Sequence, residues 1–264
     1  MTKVTIFIPV SRANYLDKLF TALEFIECDN DSTGIFVYVD GDKALFDICQ
    51  KYVDHAKFAE KLCIQRPRWK EPRATFAQDG KRRRRIADIK NESKDLMPAC
   101  DYVLSIEDDS IPPANTLDVL LAVYRVYPFA GMVSGVEVGR WGIPHIGVWK
   151  ADDVYAPTEI HTMLPGDGIE ECDAAGWYTY LTKRDRYIEI DAAPFDGNTL
   201  GPDVGWGIEM RKLGYKHYVV WGLNIDHMRK DGSAINATTT PVVSARLVKD
   251  GDKWVRKIQQ SVIT

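Results

Sequence analysis

Apolar residues in the first half of the chain alternate between two patterns: a two-residue period or unbroken run, and a period near 3.6. That alternation restricts the fold to a parallel sheet with helices on its faces. Residues 3–10 put Val4, Ile6, Ile8 and Val10 on one face, with Thr5 and Phe7 on the other. Leu16, Leu19, Phe20, Leu23 and Ile26 follow at helical spacing and form one apolar stripe. Ile35 to Val39 is an unbroken apolar run, the pattern of a central strand buried on both faces. Leu45, Ile48, Cys49, Tyr52 and Val53 predict a second helix, and Leu62 to Ile64 a third strand. Ile86, Ile89 and Leu96 place a helix over residues 82–96 that stops near Pro98. Tyr102 to Ile106 is the fourth strand, and Leu117 to Tyr127 the helix after it. Beyond Gly131 the pattern loosens: residues 131–136 and 216–220 read as strands, with a helix over 203–213 between them. The expected fold class is α/β, a mixed, mostly parallel Rossmann-like sheet flanked by helices. Residues 1–227 form the expected domain. The turn-rich residues 228–264 form a C-terminal tail, expected to be either a mobile extension or a lid.

With 45% hydrophobic and 27% charged residues in 264, the chain is neither disordered nor fibrous. No stretch approaches the roughly 18 apolar residues of a membrane helix, and the first apolar run is too short for a signal peptide. Five cysteines without a CxxC pair fit a reducing compartment, so a cytoplasmic location is expected. Between Arg66 and Arg85 lie nine Lys or Arg against Glu71 and Asp79, in a chain of net charge −4. Such a basic segment on an acidic body fits either a local anionic ligand, nucleic acid included, or a solvated loop.

In open parallel α/β sheets, ligands bind beyond the carboxyl ends of the strands. Three polar groups fall there: Ser11-Arg12, Asp40-Gly41-Asp42 and Glu107-Asp108-Asp109. Carboxylates so placed can hold Mg²⁺ or Mn²⁺, whose remaining ligands are phosphate oxygens and water, or they can hold a ribose. On a strand end, side chains at i and i+2 point the same way, so Glu107 and Asp109 are expected to converge. The plain alternative is an acid that caps the next helix.

The order of these pieces resembles a metal-dependent glycosyltransferase of the A-type fold. The resemblance rests on Pro9-Val10-Ser11-Arg12, on Asp40, on the Arg85 to Asn91 helix, and on Glu107-Asp108-Asp109 with the following proline. It continues through Cys172 to Trp177, then through Gly201 to Lys216 with its Leu-Gly-Tyr ending, and closes on His227. Two positions depart from the pattern: Glu107 stands where the family has its first aspartate, and Pro202 replaces the acid before Asp203. The resemblance implies Mn²⁺ or Mg²⁺ on Asp109 and His227, and a nucleotide-sugar donor, a UDP-sugar being favoured. Pro9, Val10, Ser11 and Arg12 would line the donor, Asp40 would hold its base, and Glu107 or Asp108 its ribose or sugar. Arg12 and Arg85 would neutralise the diphosphate, a task suited to a permanently charged planar fork.

Asp203, opening the 203–213 helix, is the candidate base for the acceptor hydroxyl or else an N-cap. Trp177 and Trp206 are the candidate acceptor platforms, against the core role that buried tryptophans usually have. His145, His161 and His217 read as structural. A sugar-nucleotide pyrophosphorylase or other nucleotidyltransferase is the rival enzyme, although such enzymes carry a glycine-rich loop where Pro9 to Asn14 has no glycine. A non-catalytic nucleotide-sugar-binding module is the rival from another class.

Overall fold

A computed structural model describes residues 2–66, 79–139, 144–193 and 200–263. The first half runs β1 (Val4–Val10), α1 (Leu16–Phe25), β2 (Thr33–Val39), α2 (Lys43–His55), β3 (Glu60–Gln65) and α3 (Asp79–Leu96). Next come β4 (Tyr102–Ile106), β5 (Ser110–Ile111), α4 (Thr116–Val126), β6 (Ala130–Val136), β7 (Val138–Gly139), β8 (His145–Ile146) and β9 (Val148–Ala151). They are followed by β10 (Glu159–Thr162), β11 (Ile169–Cys172), β12 (Ala174–Ala175), β13 (Thr179–Lys183), α5 (Arg184–Glu189) and α6 (Pro202–Lys212). The chain closes with β14 (Lys216–Asn224), β15 (Asp226–Met228), β16 (Ala234–Ile235), β17 (Val242–Asp250) and β18 (Lys253–Ile263).

Eight strands form the central sheet in the order β11-β14-β6-β13-β4-β1-β2-β3. β3, β2, β1 and β4 are mutually parallel neighbours, as are β6 and β14. β13 is antiparallel to both β4 and β6, and β11 to β14. The period-two faces of β1 explain the layering. Ile6, Ile8 and Val10 join Ile35, Val37 and Leu104 beneath α1, α2 and α4. Phe7 joins Phe36, Tyr38 and Val103 on the other face, under Ile89 of α3 and Tyr187 of α5. Each fully buried aliphatic side chain contributes about 1.5–3 kcal/mol, which holds the strand ends, and whatever they carry, in fixed register.

Residues 228–263 carry the end of β15 and the strands β16, β17 and β18. β17 and β18 pair along their length and complete a second sheet, β12-β9-β10-β17-β18. Ala245 of β17 packs with Ile160, Trp149 and with Val204 and Ile208 of α6. β15 pairs with β5 on one side and β16 on the other. The tip between β15 and β16 lies against the start of α1: the Tyr15 hydroxyl donates to the Arg229 carbonyl at 2.7 Å, and Lys18 Nζ to that of Gly232 at 2.9 Å. Gly232 turns the tip with φ +84°, a conformation that favours glycine. No helix among the described residues is long and apolar enough to cross a membrane.

Candidate active site

β1 and β4 are parallel neighbours, so their carboxyl ends open at one edge and deliver Ser11-Arg12 and Glu107-Asp108-Asp109 side by side. β4 stops at Ile106, and the acids occupy the turn before β5 rather than a strand. The alternation argument for a strand end does not apply there: Asp108 and Asp109 share Arg12, and the Glu107 charge bears on the same guanidinium. Arg12 joins them: its Nε and Nη2 donate to Asp108 Oδ1 at 2.9 and 2.8 Å, and Nη2 also donates to Asp109. Ser11 adds its backbone N–H and hydroxyl to Asp108 Oδ2, at 2.8 and 3.2 Å. Burial pushes the Asp108 carboxyl up, and the Arg12 charge pulls against that.

β15 brings the third group. The Met228 N–H donates to the Asp109 carbonyl at 2.8 Å, and His227 faces Ser110 across the β5–β15 bridge. His227 Nε2 is thereby 3.5 Å from Asp109 Oδ2. Its Nδ1–H is shared between the Val138 carbonyl at 2.9 Å and Glu137 Oε1 at 3.0 Å. The Ser110 hydroxyl donates to both Glu137 oxygens, at 3.2 and 3.0 Å. Burial disfavours the imidazolium, but the Glu137 and Asp109 carboxylates outweigh it and raise His227 well above an ordinary histidine. Burial likewise pushes the Glu137 carboxyl up.

Asp203 enters on α6. Gly201 is the N-cap and Pro202 the first helical residue, so Asp203 lies in the first turn and is not the cap. Gly207, one turn further on, packs where a Cβ would come within 2.7 Å of the Ala174 side chain. Asp203 and Gly207 share a helix face, so this close approach aims Asp203 toward β12 and the Gly176-Trp177-Tyr178 segment. Arg211 on the same helix donates to Asp173 at 2.9 Å, which makes Asp173 a tie between α6 and β9.

Among solved structures, TarS 1-349 from S. aureus in complex with UDP aligns over 83% of this chain and 58% of its own, at TM-score 0.54 and 12% identity. The same protein in complex with UDP-GlcNAc aligns over 83% and 56%, at 0.52 and 12%. The mannosyltransferase PcManGT from Pyrobaculum calidifontis, in complex with GDP-Man and Mn²⁺, aligns over 81% and 53%, at 0.53 and 14%. The fold is the A-type glycosyltransferase fold. The chain thus spans between 53% and 58% of the length of these proteins. No protein-family model matches the sequence, and no curated protein matches it by sequence.

Within this fold the expected residues separate into two groups. Ser11, Arg12, Asp108, Asp109 and His227 come together. Pro9 and Val10 end β1 beneath them, and the Glu107 N–H donates to the Tyr178 carbonyl at 2.8 Å. Asp40 and Arg85 form a separate group at the end of β2. Arg85 Nε donates to Asp40 Oδ2 and its Nη2 to the Asp40 carbonyl at 3.1 Å. Arg66 is buried beside them, held by Glu92 at 2.6 and 2.7 Å and 3.4 Å from Asp40. Both ends of the basic segment are therefore matched by acids, while Arg84 is exposed. Residues 67–78 and the side chains of residues 79–83 lie outside the described residues. Asp42 caps α2 through the Leu45 N–H at 2.9 Å. Trp206 is 0% exposed and donates to the Ile190 carbonyl at 3.2 Å; Trp177 packs edge-on against it. Both indoles belong to the core between the sheet and α6.

Two residues escaped the sequence reading, Glu137 and Tyr178. Glu137 follows a strand end and was detectable by the same positional rule that picked out Asp109. Tyr178 lies 5.2 Å from the His227 ring, centroid to centroid, and carried no sequence signal.

The donors fit a divalent cation in one respect: His227 presents Nε2 to Asp109 while a carbonyl and a carboxylate hold its Nδ1–H, the usual support of a metal-bound imidazole. Among the described residues no three His, Cys, Asp or Glu side chains form a cation cage. Two protein ligands, with diphosphate oxygens and water as the others, are what such a site would offer.

Proposed function

We propose that the chain is a glycosyltransferase that moves a sugar from a nucleoside-diphosphate sugar to a hydroxyl acceptor. The observation that carries this reading is the convergence of Asp109, His227 and Arg12 at the carboxyl edge of the parallel strands, in a fold shared with proteins solved with UDP, UDP-GlcNAc and GDP-Man. In the reaction, the bond from the anomeric carbon to the phosphate oxygen breaks and the nucleoside diphosphate leaves with its electron pair. The acceptor oxygen bonds to the anomeric carbon and passes its proton to Asp203. Asp109 and His227 would hold Mn²⁺ or Mg²⁺, which would stabilise the charge developing on the leaving diphosphate. Arg12 keeps Asp108 and Asp109 turned toward the same edge and adds a permanent positive charge beside the diphosphate. Asp40, with Arg85 and Arg66 behind it, would receive the nucleoside base, with UDP favoured. The β15–β16 hairpin, resting on Tyr15, would act as the lid that keeps water from the donor.

A nucleotidyltransferase is the weaker reading. Ser11 and Arg12 direct their donors to Asp108, whereas a triphosphate-binding loop needs such donors turned to the phosphates. The test is calorimetry of UDP and GDP with and without Mn²⁺, followed by nucleoside-diphosphate release from their sugar derivatives. Mn²⁺-dependent binding and release are expected. Absence of both, or pyrophosphate-dependent formation of a nucleoside triphosphate, would overturn the reading.

A further inference from the structure

Tyr178 stands where the acid cluster meets the start of α6. Its ring tilts against the His227 imidazole at 5.2 Å, and its backbone carbonyl accepts the Glu107 N–H at 2.8 Å. Carboxylates from three elements bear on its phenol: Glu107 and Asp109 after β4, Glu137 after β6, and Asp203 in α6. Among the described residues its hydroxyl makes no hydrogen bond, while the phenol of Tyr180, on the strand that follows, is tied to Lys90 Nζ at 2.8 Å.

Two glycines make room for this ring. A Cβ at Gly147 would come within 2.6 Å of Tyr178 Cε2, and one at Gly176 would come closer still. Neither glycine has a positive φ. Their backbones ask for no glycine, so the need is for space: the chain omits two side chains to lay this ring across the edge of the site.

Resting on the glycosyltransferase reading, we propose that Tyr178 contacts substrate directly, its hydroxyl donating a hydrogen bond to an oxygen of the donor sugar. The sugar of a bound donor has to lie between its diphosphate, held at Asp109, and the acceptor oxygen, held at Asp203. The phenol is fixed against the first and within the field of the second. Tyr178 is half-buried, and a hydroxyl left without a protein partner beside the site is free to donate to a ligand that arrives there.

Tyr178→Phe removes the hydroxyl and keeps the packed ring, so thermal unfolding should change little. The probes are UDP, GDP, UDP-N-acetylglucosamine and GDP-mannose, each with Mn²⁺, titrated into wild type and variant. Expected is nucleoside-diphosphate affinity within about twofold of wild type, together with an about tenfold loss in affinity or kcat/KM for the sugar nucleotide that wild type accepts. Equal behaviour of wild type and variant toward that sugar nucleotide would overturn the role of Tyr178 and leave the glycosyltransferase reading standing. An equal loss for the diphosphate and its sugar derivative would also overturn it, placing the contact on the phosphates. A wild type that binds none of the four probes would fail at the earlier step and remove the reading on which the proposal rests.

Discussion

His227 Nε2 lies 3.5 Å from Asp109 Oδ2 because a short antiparallel bridge, β5 with β15, pairs His227 with Ser110, the residue after Asp109. The contact is built into the backbone: Met228 donates to the Asp109 carbonyl, and Val138 and Glu137 hold the far nitrogen of the ring. A pair fixed in this way is preorganised, so ligands arriving there meet donors that need little rearrangement.

Asp109→Asn keeps the shape and removes the charge that faces both Arg12 and His227. Binding of UDP or GDP in Mn²⁺ should weaken by about tenfold or more, while Asp108 still holds Arg12 through two donors. Stability should fall by about 3–5 kcal/mol because two cationic groups lose a buried counter-charge. Calorimetry with urea unfolding separates the two effects, and unchanged affinity with no metal dependence would defeat the assignment.

Glu137→Gln tests the support behind His227. The amide can still accept from Ser110 but no longer offers a charge to the imidazole, so nucleoside-diphosphate binding in Mn²⁺ should drop by about tenfold. Glu137→Ala should add a stability loss of about 1–3 kcal/mol by leaving Ser110 and the ring unmatched. Full metal-dependent binding in both variants would reduce Glu137 to packing.

Arg85 and Arg84 are neighbours with different fates. Arg85→Ala strips the half-buried partner from Asp40 and should cost about 1–3 kcal/mol, with weaker nucleotide binding. Arg84 is exposed, and Arg84→Ala should stay within about 0.5 kcal/mol. Equal small effects in urea unfolding and in UDP titration would return the whole run to a solvated helix start. Salt-dependent binding of single-stranded DNA, abolished by Arg84→Ala, would instead favour a nucleic-acid acceptor.

His217 gives stability a pH dependence remote from the acid cluster. Its ring is fully buried, with Nε2 3.0 Å from the Gly207 carbonyl, and burial depresses its pKa to about 4. Below about pH 6.5 the unfolded chain takes up a proton at this residue, and the folded chain does not until about pH 4. His217 therefore stabilises the fold fully above pH 6.5, and that contribution is lost as pH falls from 6.5 toward 4. In His217→Asn the loss of melting temperature across this window should be smaller than in wild type. Parallel melting curves for the two proteins would rule this account out.

The sequence by itself determined the repeating strand–helix order, because a period of two and a period of 3.6 leave local traces in every window. The strand at Tyr102–Ile106 was readable to the residue, and those at Val4–Val10 and Ala130–Val136 to within one. Position at a strand end marked Ser11-Arg12 and Glu107-Asp108-Asp109, and family resemblance marked His227. Tertiary structure alone decided which of these meet. β13 inserts antiparallel between β4 and β6, and its lead-in carries Tyr178 to His227. The β5–β15 bridge sets His227 on Asp109 and turns its other nitrogen to Glu137. Asp40, equally polar and equally well placed in the sequence, is matched instead by Arg85 and Arg66. Trp206, an apparent sugar platform, fills the core. Periodicity is a property of neighbours along the chain, whereas charge pairing and burial depend on segments far apart in sequence that only the packed sheet brings into contact.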